Sequence, residues 1–246
     1  MPQDSKRKAS IMKRLFYIFF TIIACGYLFA ATTPAEAKKQ LKEKFKSNVS
    51  VDQTLNDVVI NNIPVGKTPP AGRGVSPRFA AYIIYIDDKS DLDALSKNIA
   101  TAAGKRRSKG GGTLLADIIT GANKYLGRSN MNLQEIKISG TNVSSRLDDG
   151  IPVFCWLAVN KFYKTDFTDR TKLRAQASNA ADWNKQMRKL EKKNFKEKTS
   201  TYIDSIICGY NKATKEYLVI GPAPEPIWLT EKEINELISD AFVLRF

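Results

Sequence analysis

The chain contains no histidine in 246 residues. Histidine is the one side chain whose ordinary titration falls near neutral pH, and it is the commonest base beside a nucleophilic serine or cysteine. Its absence excludes every Ser-His-Asp and Cys-His-Asn arrangement and any zinc site built on imidazole. Cysteine is also scarce: Cys25, Cys155 and Cys208 are the only three, too few for a four-thiolate zinc site. The adjacent carboxylates Asp148 and Asp149 have no third oxygen ligand nearby in sequence and read as a turn before Gly150. The sequence therefore offers no metal site and no cofactor motif. The segment Lys105-Arg-Arg-Ser-Lys-Gly-Gly-Gly112 resembles a phosphate loop only superficially, because its lysines precede the glycines and Thr113 is followed by Leu114.

Apolar residues make up 43% of the chain, enough to bury a core, and the formal net charge is +14. Residues 1–37 hold five Lys/Arg against two acids, so the remainder carries 34 minus 23, or +11. Such a surface favours anionic partners such as lipid head groups or an envelope polymer, and carries no specific nucleic-acid signal. The candidate basic patch is Lys105, Arg106 and Arg107 with Lys189, Lys192 and Lys193.

The start reads as an export signal. Lys6, Arg7, Lys8, Lys13 and Arg14 precede the 16-residue apolar run Leu15–Ala30, and Ala35-Glu-Ala37 is a small-x-small cleavage site. Residues 1–37 are thus expected to leave, giving a periplasmic or extracellular chain. An uncleaved anchor and lipidation at Cys25 are the alternatives. Residues 38–62 form a basic lead-in, with a short edge strand expected at Val58–Ile60, and 63–246 form the domain. Within it, Pro64–Pro77 reads as an extended loop. Helices are expected over Arg78–Ile86, Asp91–Ala103 and Thr113–Leu126, then a strand at Leu133–Ile138. Lys172–Phe195 has an apolar stripe of Leu173, Ala177, Ala180, Trp183, Met187 and Leu190 and is the clearest helix. Thr230 and Glu233 form a capping box, and Phe242–Phe246 would close the chain as an edge strand.

Two β-branched runs, Ile203–Cys208 and Tyr217–Ile220, flank the polar connector Asn211–Glu216 and predict an antiparallel hairpin. Ile151–Val159 supplies a neighbouring strand. A strand reading Gly-Ile-Pro-Val-x-x-Trp, a charged helix with Asp182-Trp183, then Ile-Ile-x-Gly-Tyr-Asn and Trp228-Leu-Thr-x-x-Glu233 resembles the papain-like cysteine peptidases, in particular the bacterial group related to the double-glycine bacteriocin-processing peptidases. The helix Asp91-Leu-Asp-Ala-Leu95 matches the same family.

The resemblance covers about residues 60–246. It implies an α+β fold in which a helical N-terminal half packs on an antiparallel sheet.

It also implies a nucleophilic cysteine at a helix N-terminus, a histidine opening the strand before Gly209 and an Asp or Asn ending the next strand. Those family positions fall at Val75, within one residue, and at Ile203 and Gly221, so the catalytic set is not retained. The oxyanion glutamine is missing too, since no glutamine occurs between Gln53 and Gln134. The expectation is a catalytically inactive homologue that binds peptide or protein, with Gly74, Val75, Ile203, Ser205 and Gly221 lining the cleft. Polyanion binding in the envelope and hydrolysis by a histidine-free mechanism are the competing functions. Cys155 and Cys208, both in expected strands, are either buried free thiols or a disulfide.

Overall fold

The computed structural model describes residues 33–64, 75–104, 115–158, 176, 178–179, 181–182, 202–221 and 225–246. Lys42–Phe246 is one compact unit. Residues 1–32 of the expected export segment, the basic patch and all but a few residues of the Lys172–Phe195 helix lie outside the described residues, whereas Ala35-Glu-Ala37, the expected cleavage site, lies within the helix Pro34–Lys46. Among the described residues, no helix is long and apolar enough to cross a membrane.

The elements in chain order are α1 (Pro34–Lys46), β1 (Val49–Asp52), β2 (Asp57–Ile60), α2 (Pro77–Ile86), α3 (Leu92–Ala103) and α4 (Leu115–Leu126), then β3 (Asn132–Glu135), α5 (Gly140–Asp148), β4 (Val153–Ala158), β5 (Tyr202–Asn211), β6 (Glu216–Ile220), β7 (Ile227–Thr230), α6 (Glu231–Leu237) and β8 (Ile238–Arg245). The fold is α+β, and every strand pairing is antiparallel. The sheet runs β1-β2-β5-β4-β8-β3, with β6 and β7 branching from β5.

The branch follows from the registers. On one edge of β5, residues 202–207 pair with β4 and residues 209–211 with β2; β6 covers 206–211 on the other. A ten-residue strand thus serves three neighbours, and its run of Ile206, Ile207 and Cys208, all buried, suits a strand enclosed on both faces. Two expectations are corrected here. The segments Val58–Ile60 and Phe242–Phe246, read as edge strands, belong to β2 and β8, which each lie between two neighbours. The hairpin β1–β2 therefore places part of the presumed lead-in inside the sheet, and strands β1 to β3 interleave with the helical half. Helix α5 was not foreseen, because its one buried stripe is only Val143 and Leu147.

Local chemistry sets the helix boundaries. Ser76 caps α2 by accepting from the Phe79 amide at 3.1 Å, with Pro77 occupying the first helical position, where no N–H is needed. Asp91 caps α3. The expected capping box forms at α6, where Thr230 and Glu233 satisfy each other's amides.

The core lies between α2 and the sheet, with Phe79 edge-on to Phe154 at 4.9 Å between ring centroids and Tyr82 tilted against the same ring at 5.7 Å. On the rim, Phe45 stacks on Tyr85 at 5.6 Å and on Phe246 at 6.0 Å. The Tyr85 hydroxyl donates to the Gly150 carbonyl at 2.8 Å. Gly150 has φ +73°, and a β-carbon there would stand 2.0 Å from the Phe45 carbonyl oxygen. Backbone conformation and contact both demand glycine. Gly150→Ala should lower the unfolding free energy by at least about 2 kcal/mol in a denaturant titration.

Candidate functional site

Helix α2 lies on the face of β4 that carries Phe154. Side chains two apart on a strand share a face, and directly paired residues share it across strands. Trp156 therefore sits on the α2 face with its two Cα partners, Asp204 on β5 and Asp240 on β8. All three are half-buried, as are Ser76 and Arg78 at the start of α2. Ser76 accepts from the Phe79 amide, and its hydroxyl lies near the Asp204 carboxyl.

Burial pushes the Asp204 carboxyl above the ordinary carboxylate range. The Ser76 hydroxyl, the Arg78 charge and the Trp156 indole oppose that shift. The result is a hydroxyl–carboxyl pair at a helix N-terminus, with an indole and a second carboxylate alongside. Asp240 makes no hydrogen bond or ion pair with another described residue. No group of three or more acidic or thiol side chains among the described residues is placed to hold a metal ion.

Of the positions singled out in the sequence, Val75, Ile203, Ser205 and Gly221 are described, and each lies one residue or one face away from this group. Val75 is buried immediately before Ser76. Ile203 and Ser205 lie on the opposite face of β5 from Asp204. Gly221 is with them, since a β-carbon on it would meet the Ser205 hydroxyl at 2.6 Å. Ile203, Ser205 and Gly221 thus come together, but away from the N-terminus of α2.

A bulge follows on β5. Register shifts between Ile207 and Gly209, which pair with Val219 and Leu218, neighbours on opposite faces of β6. Gly209 therefore shares a face with Ile206 and Asp204, and a count back from Gly209 by simple alternation lands on the wrong face. The readable signals were the Ser76-Pro77 helix start and the alternation of Phe154 with Trp156. Gly74 and the six residues of the basic patch lie outside the described residues.

The Gly-Tyr-Asn segment that carried much of the resemblance is structural. A β-carbon on Gly209 would stand 2.8 Å from the Val58 carbonyl oxygen. Tyr210 donates to the Asp148 carboxylate at 2.6 Å. The Asn211 amide donates to Asp57 at 2.8 Å and also to the Leu55 carbonyl, while its oxygen accepts from the Ala213 and Thr214 amides at 3.0 and 3.1 Å.

The disulfide alternative is corrected. Cys155 is paired with Ser205, and Cys208 lies three residues further along β5, about 10 Å away at strand spacing. That exceeds the reach of a disulfide, and both are buried free thiols. Burial raises both thiols, Cys208 to about 12, so neither is a ready nucleophile.

Comparisons with family models, with curated proteins and with solved structures give no match.

A carboxyl raised on folding binds its proton more tightly in the native state, so its contribution falls as pH rises above the ordinary aspartate value. Asp204→Asn should therefore be more stable than the parent at pH 7, with the gain shrinking as pH is lowered toward the carboxylate range. Equal unfolding curves for the two proteins at every pH would contradict the assignment.

Proposed function

We propose that this chain is an exported papain-like pseudopeptidase that binds peptide at the N-terminal end of α2 and does not cleave it. The observation that carries the reading is the Ser76–Asp204 pair. It lies at the N-terminus of α2 beside β5, next in sequence to Val75 and Ile203, the positions at which the resemblance would put a thiol and an imidazole. The α+β fold, the antiparallel sheet and the packing of α2 across β4 and β5 support the same architecture.

The substitution changes the chemistry. An aspartate is ordinarily a weaker base than imidazole, so it takes up the hydroxyl proton less well in the transition state. The Ser76 oxygen is moreover committed to the Phe79 amide as a helix cap. What remains is a half-buried polar site flanked by an indole, suited to orienting a ligand. A histidine-free hydrolase is the second reading, favoured only by the contact of serine with carboxyl.

The two readings part in one experiment. The full chain is incubated with a mixed peptide library, the peptides are examined by mass spectrometry and binding is followed by tryptophan fluorescence. Binding without cleavage is expected, with affinities changed no more than about threefold in Ser76→Ala, which removes about one neutral hydrogen bond. Peptide cleavage that Ser76→Ala abolishes would overturn the proposal in favour of the hydrolase.

A further inference from the structure

We infer that Asp204, Trp156 and Asp240 together seat a basic side chain, lysine or arginine, of the bound peptide; this rests on the peptide-binding reading above. The three residues come from three adjacent strands, β5, β4 and β8, in direct register on one face. Neighbouring strands are about 4.8 Å apart, so the two aspartates are centred about 10 Å apart with the indole between them. That span is too wide for both carboxylates to hold one metal ion at bonding distances of about 2.0–2.6 Å. It does suit a planar guanidinium or an ammonium lying on the indole and donating to a carboxylate on one side or the other.

Packing alone does not account for this row. The preceding row on the same face, Ile206, Phe154 and Phe242, is apolar and buried, as a helix-covered sheet requires. One step further toward the N-terminus of α2, both flanking positions become carboxylates around a half-exposed ring. Partial burial of a carboxylate costs free energy unless something compensates it. Asp204 has the Ser76 hydroxyl, the indole and the nearby charge of Arg78, whereas the Asp240 carboxylate has no partner among the described residues. Two carboxylates against one guanidinium leave the site with a local charge of −1 in a chain whose total is +14. Selection of a cation at this place is therefore a property of these side chains and not of the surface as a whole.

The test uses the full chain and two extended peptides that differ at one position, arginine in one and norleucine in the other, with affinities measured calorimetrically at pH 7. The arginine peptide should bind at least about tenfold tighter, in the range of one charge-assisted contact with a carboxylate. In the Asp204→Asn/Asp240→Asn variant that preference should fall to about twofold, because the arginine peptide loses more affinity than the norleucine peptide does. Trp156→Leu, a separate variant, should weaken the arginine peptide selectively; thermal unfolding of each variant confirms folding. Equal affinity for both peptides would overturn the cation site while leaving peptide binding in place. Binding of neither peptide would remove both.

Discussion

The structure depends on strand β5, which holds β4 and β2 end to end along one edge and β6 along the other. Such a strand must change phase where its neighbours change, and the bulge at Cys208 does this. On one side of it, Tyr210 ties the sheet to α5 through a part-buried hydrogen bond and Asn211 ties it to the β1–β2 hairpin through a buried one. On the other, Asp204 and Ile206 face α2. The same ten residues thus fix the topology at one end and supply the half-buried Asp204 carboxyl of the proposed site at the other.

This division separates the chemistry of the hairpin from that of the proposed site. Gly209, Tyr210 and Asn211 are explained by contacts they make within the fold, and nothing further is asked of them. Ser76 and Asp204 are less completely explained. Ser76 is needed as a helix cap, but many residues can cap, and a capping serine need not touch a half-buried acid. Asp204 is raised by burial at a position where an apolar residue would satisfy the sheet at lower cost. Groups held against their solvation preference gather at functional sites, and here they do so without a histidine, which directs the reading toward binding rather than proton transfer.

Much of the fold was legible because its signals are local. The spacing of Leu95 and Ile99, the capping box at Thr230 and the hairpin flanking Asn211–Glu216 all correspond to elements at or within a few residues of the expected places. Strand order was not legible, since nothing local in Val58–Ile60 or Phe242–Phe246 tells an edge strand from an inner one. The proposed site was legible only to within a residue in each of its segments. The bulge at Cys208, which sets Gly209 on the face of Asp204, leaves no mark in the sequence. For Ser76 the position lay within the stated tolerance of Val75, and the Ser-Pro helix start was the clue that distinguishes the two. The pairing of Trp156 with both Asp204 and Asp240 is a matter of three-strand register, which no local pattern encodes.

The most direct test of the account is a chemical-shift perturbation map of the isotopically labelled full chain with an arginine-containing extended peptide. Binding at the N-terminal end of α2 predicts shifts concentrated on Ser76, the Trp156 indole, Asp204 and Asp240, with Ile203, Ser205 and Gly221 on the opposite face little changed. Shifts centred on that opposite face, or spread over lysine-rich segments with none at Trp156, would contradict it.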